Sequence, residues 1–175
     1  MAVTAAGTPY VESSDLVANY PGVSLALANH IDTSTGKVLQ VVRATDSTRR
    51  TTTSTSFVDV TGMSVTITPQ KITNSILLIS VFNAIANASS GSQIRSQFQI
   101  TNSSNTAISG AENADIFSGT TTQFYSYVTL MAFDSPNTLS ATTYKTRFKT
   151  LQPPTTTEAD NASNTGQMYA IEVAV

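Results

Sequence analysis

From residue 37 to the C-terminus, apolar and polar residues alternate with a period of two, the pattern of a β-strand with one buried face. The alternation predicts strands at 37–44, 56–60, 63–68, 75–83, 92–101, 123–133, 142–149 and 167–174, with a weaker one at 105–109. Clusters of glycine, proline and asparagine separate them, as turns require. No helical pattern of any length lies between them, which argues against βαβ units. We expect an all-β fold, an antiparallel β-sandwich or jelly roll of about eight strands.

Two of the predicted strands are apolar on both faces. The segments SILLISVFNA and QFYSYVTLMAF carry apolar side chains at odd as well as even positions. A sandwich covers only one face of each strand, so the second face needs a loop, the N-terminal helix or a neighbouring subunit. We favour the subunit, because exposed apolar patches of this size usually mark partners. The predicted subunit interface comprises Leu77, Ile79, Val81, Tyr125 and Tyr127.

Residues 1–36 differ in character and form a predicted attachment segment ahead of the β-sandwich domain at 37–175. Residues 1–12 are expected to be an extended arm. After Pro21-Gly22, the residues Val23, Leu27 and Ile31 recur at i, i+4 and i+8, which predicts a short helix with Pro21 in its first turn. A helix this short is marginal by itself and needs a surface to pack against.

The composition supports a β fold in a non-exported protein. By direct count, 29 Thr and 22 Ser stand among the 175 residues, whereas charged residues make up 11%. Threonine favours strands, and few charges leave few ion pairs to support helices. The net charge of −2 and pI near 5.2 give no field for nucleic acid. The absence of cysteine suits a reducing compartment, and we expect no signal peptide and no membrane span.

The residues with catalytic potential are few and scattered. His30, the single histidine, has no partner motif for a catalytic relay or a metal site. Glu112 and Asp115 lie three apart in a predicted loop, and Glu158 and Asp160 lie in another. Paired acids could hydrolyse a glycoside at a suitable separation, but solvation of loops explains them better. We expect no enzymatic activity, no cofactor and no metal.

Basic residues form one short stripe, in which Lys145, Arg147 and Lys149 share a strand face. The stripe could hold a polyanionic glycan or an acidic protein. We favour a solvated face, or an edge strand that lysine guards against unwanted pairing. Arg49-Arg50 falls in a predicted Thr/Ser-rich loop and is too short for a nucleic-acid patch.

The order of several segments resembles a known family. TGKVLQVVRAT, TSFVDVTGMSVTITP, SATTYKTRFKT and GQMYAIEV resemble a domain that recurs in tail-fibre and other virion proteins of bacteriophages, many of them from cyanobacteria and other aquatic bacteria. YVESSDLVANYPGVSLALANHID is similar to the segment that often precedes it, so the resemblance spans roughly 10–174. It implies a jelly-roll-like domain, commonly trimeric, without enzymatic activity. Unlike many members, this sequence has no shaft repeats.

The resemblance implies a short tail or head fibre subunit, assembled in the host cytoplasm and located in the virion. Its partners would be two further copies of the chain, other tail or capsid proteins and, as a further candidate, a host surface glycan; nucleic acid and membrane are not expected. The predicted virion-docking residues are Leu16, Tyr20, Val23, Leu27 and Ile31. The alternative is a capsid decoration or cement protein, which the lack of a shaft favours. A glycan-degrading enzyme is a third, weaker hypothesis.

Overall fold

The computed structural model describes residues 2–3, 9–10, 20–33, 37–88, 93–119, 122–153 and 155–175. The chain divides into two compact units, Met1–Lys37 with Ala174, and Val38–Val173 with Val175. In the first unit, β1 (Ala2–Val3) pairs antiparallel with β2 (Pro9–Tyr10), and α1 spans Tyr20–Thr33. Pro21 lies in the first turn of α1, where its missing N–H costs nothing. The predicted N-terminal helix is therefore confirmed.

The larger of the two sheets in the second unit is built around one long central strand. Strand β6 (Ser75–Asn87) pairs along one side with β9 (Gln123–Asp134). On its other side it pairs first with β12 (Gly166–Val173) and then with β11 (Thr156–Asp160). Strand β3 (Val38–Asp46) pairs with β12, and β4 (Arg49–Thr52) pairs with β11. All of these pairings are antiparallel, giving a six-stranded sheet.

The second sheet has four antiparallel strands in the order β5-β10-β7-β8. They are β5 (Val58–Ile67), β7 (Ile94–Asn102), β8 (Ala114–Ser118) and β10 (Thr142–Thr150). Strand β10 is central, because it pairs with β5 on one side and β7 on the other. The four-stranded and six-stranded sheets together hold ten strands among the described residues.

The core lies between the two sheets and consists of apolar side chains and a few hydrogen-bonded hydroxyl groups. Phe82 of β6 meets Phe98 of β7 edge to face, with ring centroids 5.2 Å apart, a favourable aromatic geometry. Two buried hydroxyl pairs also cross between the sheets, Ser80 with Thr146 at 2.7 Å and Ser96 with Thr157 at 2.5 Å. Other fully buried members of the core are Met63, Ile67, Ile76, Leu78, Ile94, Ile100, Tyr144, Phe148 and Met168.

This architecture confirms the predicted all-β antiparallel sandwich with a short N-terminal helix. Three strands of the sandwich, β4, β8 and β11, do not correspond to any predicted strand. In β11 the inward positions are filled by the small residues Thr157 and Ala159, which give little hydrophobic signal. The predicted strand at 105–109 is wrong: among the described residues it contributes a single bridge, Thr101 to Ala107.

Glycine 62 joins two segments that were predicted as separate strands. The segments 56–60 and 63–68 form the continuous strand β5, and its register against β10 shifts between Lys145 and Arg147. Gly62 has φ of 91°, a conformation that glycine adopts without strain. A Cβ at this position would lie 2.8 Å from Cγ of Asp46. The glycine therefore marks a bulge rather than a turn.

Candidate functional site: the outer face of the six-stranded sheet

The outward-facing side of the six-stranded sheet carries a row of apolar residues. Strand register places Val41, Ile171, Leu77 and Phe133 side by side across β3, β12, β6 and β9. In the adjacent row, Ile79 is opposite Met131. We call these six side chains the apolar patch: Val41, Leu77, Ile79, Met131, Phe133 and Ile171.

The apolar patch is open to solvent within one chain. Val41, Met131 and Phe133 are 56%, 55% and 54% exposed, and the other three are half-buried. A soluble monomer rarely exposes a contiguous apolar surface of more than a few hundred Å². Beside the patch, the Arg43 guanidinium lies 5.8 Å from the centroid of the Tyr169 ring, a cation–π contact that leaves the charge at its border.

The same face becomes polar and aromatic towards the other end of β9. Tyr127 lies opposite Asn83 and Tyr125 lies opposite Ile85, and the two tyrosines are 72% and 58% exposed. The Tyr125 hydroxyl donates to Oε1 of Gln123 at 2.7 Å. Both rings therefore stand on the surface at successive outward positions of one strand.

A cleft opens beside Tyr127 because β6 changes its partner there. Val81 is the last residue of β6 paired with β12, and Ala84 is the first paired with β11. Between these pairings the chain turns through residues 161–165 and leaves a cleft of about 330 Å³. We call it the tyrosine cleft; its walls include Val81, Asn83, Tyr127, Asn164, Thr165 and Gln167.

The outer face of the four-stranded sheet is different, because it carries charged side chains, several of them in ion pairs. Asp59 accepts from Lys145 Nζ at 2.9 Å and from Arg147 Nε at 2.7 Å. Burial acts to raise the pKa of Asp59, but these two cations outweigh it and lower that pKa. Lys149 lies 4.4 Å from the centroid of the Phe57 ring. Two cations of the predicted basic stripe thus share one carboxylate, and its explanation as an edge-strand guard is wrong because β10 is central.

The adjacent arginines Arg49 and Arg50 lie in β4 rather than in the predicted loop. Arg50 donates to both carboxylate oxygens of Asp46 at 3.1 Å, and Arg49 Nε donates to Asp160 at 2.8 Å. Burial favours higher pKa values for both aspartates, but the hydrogen bonds from these arginines and from neighbouring groups hold the pKa of each below its usual value. The two arginines therefore serve to fasten β4 to its neighbours.

The four carboxylates considered for glycoside hydrolysis are engaged in contacts within the chain. Asp115 lies in β8 and forms an ion pair with Arg95, and Glu112 accepts from the backbone N–H of Gly110 at 2.8 Å. Glu158 and Asp160 lie in β11, not in a loop, and their carboxylates approach the same Arg49 Nε at 3.5 and 2.8 Å. Within the described ranges no three histidine, cysteine or acidic residues are grouped as a metal site would need, and no helix there is long and apolar enough to span a bilayer.

The buried carboxylate of Glu172 was not predicted as a functional group from the sequence. It is fully buried at the end of β12 and accepts from the Asn74 amide at 2.6 Å, the Gln70 backbone N–H at 2.7 Å and the Gln40 amide at 2.5 Å. Burial would raise the pKa of Glu172, but these bonds and one from the Lys71 backbone N–H lower it. The carboxylate holds the loop between β5 and β6 against the sheet.

The five residues predicted as a subunit interface lie together on the outer face. Leu77, Ile79 and Val81 are half-buried in its centre, and Tyr125 and Tyr127 are exposed at one end. Of the five, Leu77 and Ile79 belong to the apolar patch, whereas Val81 and Tyr127 line the tyrosine cleft. Of the predicted docking residues, Val23 is buried and Leu27 is half-buried. Tyr20 and Ile31 belong to α1, and their side chains, that of His30 and the whole of Leu16 lie outside the described residues.

Three contributors to this face were not identified from the sequence: Val41, Tyr169 and Ile171. Their segments, VLQVVRATD and GQMYAIEV, carry apolar residues on both faces. In β12, Met168 and Ala170 point into the core while Tyr169 and Ile171 point outwards. Strand β12 therefore carries apolar residues on both faces, as β6 and β9 do.

No protein-family model and no curated protein matches the chain. Among solved structures, the chain is similar to one described as the 2.6 Å structure of infectious bursal virus derived T=1 particles, with 13% sequence identity and a TM-score of 0.39. The match covers 81% of this chain and 37% of that chain.

Proposed function

We propose that this chain is a non-enzymatic structural protein of a viral particle, a short tail or head fibre subunit that assembles as a homotrimer. Two things support the proposal. Several sequence segments, in their order along the chain, resemble a virion domain of bacteriophages, and the apolar patch is exposed within one chain. Exposure of the apolar patch is the main support for the proposed trimer, because large exposed apolar surfaces usually mark contact surfaces.

The occupant of the apolar patch is a second copy of this chain. Its six side chains are uncharged, so copies can meet there without burying an unpaired charge, which would be costly. In a cyclic trimer each interface is heterologous, so one part of a subunit's surface meets a different part of its neighbour's. A patch that is apolar throughout can supply both sides of such a contact, whereas the face of the four-stranded sheet carries ion pairs formed within the chain.

Sedimentation equilibrium tests the assembly. Wild-type protein should sediment at three times the chain mass of 18.5 kDa. Phe133→Lys should dissociate it, because the charge would be buried at the contact. Leu139→Lys is the matched control, since Leu139 is equally exposed at 58% but lies outside the patch. A wild-type monomer, or a Phe133→Lys variant that still forms trimers, would contradict the proposal.

Attachment to the particle is assigned to the N-terminal segment, with Leu16, Tyr20, Val23, Leu27 and Ile31 as the docking residues. Deletion of residues 1–32 should leave a folded trimer that no longer joins particles. Normal incorporation of the deleted protein would remove this assignment.

Copy number separates the fibre subunit from the alternative, a capsid decoration or cement protein. The sequence has no shaft repeats, and this observation favours the alternative. Quantitative mass spectrometry of purified particles should find a few tens of copies for an appendage and hundreds for a cement protein.

A further inference from the structure

We infer that the tyrosine cleft is a binding site for a neutral carbohydrate. It is concave, it is built by one chain, and its walls combine an exposed aromatic ring with several amides, whereas the neighbouring apolar patch has no amides. A small-molecule site typically pairs apolar or aromatic walls with a few convergent polar groups. The cleft has both.

Asn83 supplies the first polar group of the cleft. It is 9% exposed in a strand that is otherwise mainly apolar, and it lines the cleft. Its amide atoms are not among the fully buried side-chain atoms without a partner in the described part of the chain, which is consistent with an amide that faces the cleft. The Asn83 amide, which opens into the cleft, can donate two and accept two hydrogen bonds, so it suits the vicinal hydroxyls of a sugar.

The remaining polar groups of the cleft also keep bonding capacity. Gln167 accepts from the Tyr169 hydroxyl through Oε1, which leaves its amide N–H groups available. Asn164 donates to the Tyr127 hydroxyl at a long 3.4 Å, and its carbonyl oxygen is an acceptor. The cleft therefore offers both donors and acceptors, which suits hydroxyls that act as both.

Tyr127 supplies the flat apolar surface. Its ring is the most exposed of the described tyrosines at 72%, and the C–H face of a pyranose ring packs well on such an aromatic face. Tyr125 stands two residues away on the same side of β9, about 7 Å along the strand, where a second sugar unit of the same chain could rest. An oligosaccharide would then lie along the edge of the sheet.

Charge selects the class of sugar. None of the residues that line the cleft is ionised, so nothing there would compensate a phosphate, sulfate or carboxylate removed from water. The ligand is therefore a neutral sugar. This inference deepens the proposed function, since it gives the particle protein a ligand at a cell surface, but the cleft is complete within one chain and does not depend on the trimer.

The test is a titration of the full-length protein with methyl glycosides of glucose, galactose, mannose and N-acetylglucosamine, and with a short neutral oligomer of each. The chain has no tryptophan, so tyrosine fluorescence reports directly, and saturation-transfer NMR confirms contact. At least one probe should bind with a Kd on the order of 1 mM or tighter. Tyr127→Ala should weaken it about tenfold or more, since truncating an aromatic anchor removes most of its contact, whereas Tyr127→Phe should retain most of the affinity.

Two controls make the result decisive. Phe133→Ala removes an equally exposed aromatic residue from the apolar patch and should leave sugar affinity unchanged, and circular dichroism should show both alanine variants folded. Sedimentation of the same samples reports the assembly separately, so sugar binding by a monomer would sustain this inference while defeating the trimer. Failure of every neutral probe to bind, binding restricted to acidic sugars, or unchanged binding in Tyr127→Ala would overturn it.

Discussion

Replacing Glu172 by glutamine should destabilise the sandwich by about 2–4 kcal/mol at pH 7. One carboxylate oxygen accepts from Gln70 and Asn74 and the other from Gln40. An amide can present only one oxygen, so its NH₂ group must face donors on the other side. Hydrogen bonds to a charged group contribute about 1.5–3 kcal/mol each, and a buried donor left unsatisfied costs about 1–3 kcal/mol. Loss of one to two such contacts gives the stated range.

The pH dependence of this loss has a definite sign. The folded-state pKa of Glu172 lies below its ordinary value of 4.5, so its stabilisation is fully present above that ordinary value and disappears as pH falls through the lower folded pKa. The difference in unfolding free energy between wild type and Glu172→Gln should therefore be constant near neutrality and shrink in acid.

Urea denaturation followed by circular dichroism, at one protein concentration and at several pH values, measures this difference. Glu112→Gln is the control, because Glu112 is exposed and accepts one bond from the Gly110 N–H; its effect should stay within about 0.5 kcal/mol. A Glu172→Gln effect below about 0.5 kcal/mol at pH 7, or one equally large in acid, would refute the assignment of the carboxylate as a charged anchor.

Three further substitutions have expected effects that the same denaturation assay can check. Phe82→Ala should cost about 3–5 kcal/mol, because it leaves a cavity in the centre of the core; a loss below about 1 kcal/mol would show that the core repacks. Gly166→Ala should cost about 1–3 kcal/mol, since its Cβ would lie 2.4 Å from Oδ1 of the buried Asn161, whereas Gly119→Ala, with open space around it, should be nearly neutral. Asp59→Asn should cost about 1 kcal/mol, because the Asp59 side chain is 44% exposed and ion pairs of exposed groups contribute little, and the loss should decrease in high salt.

The sequence predicted the sandwich because its main strands follow the period of two. Strands such as β7 and β10 carry large apolar residues on the core side, and their alternation is unmistakable. It missed β4 and β11 because ion pairs and small inward residues hold them in place. Arg49 and Asp160 meet across those strands, and a contact between residues so distant in sequence has no local pattern.

The candidate site could be predicted in part. The doubly apolar pattern of β6 and β9 located the outer face, since one-residue periodicity in hydrophobicity means that both sides of a strand are apolar. The cleft could not be predicted, because it results from the change of partner along β6 and brings Asn83 against the turn before β12. Strand order, rather than any sequence motif, creates it.

The hydroxyl pairs between the sheets bear on how rigid the outer face is. Aliphatic side chains tolerate sliding of one layer over another, but a hydrogen bond is directional and weakens steeply when its geometry changes. Ser80 with Thr146 and Ser96 with Thr157 fasten the layers at two separate points, which resists rotation as well as translation. These two contacts should therefore resist shear between the two sheets.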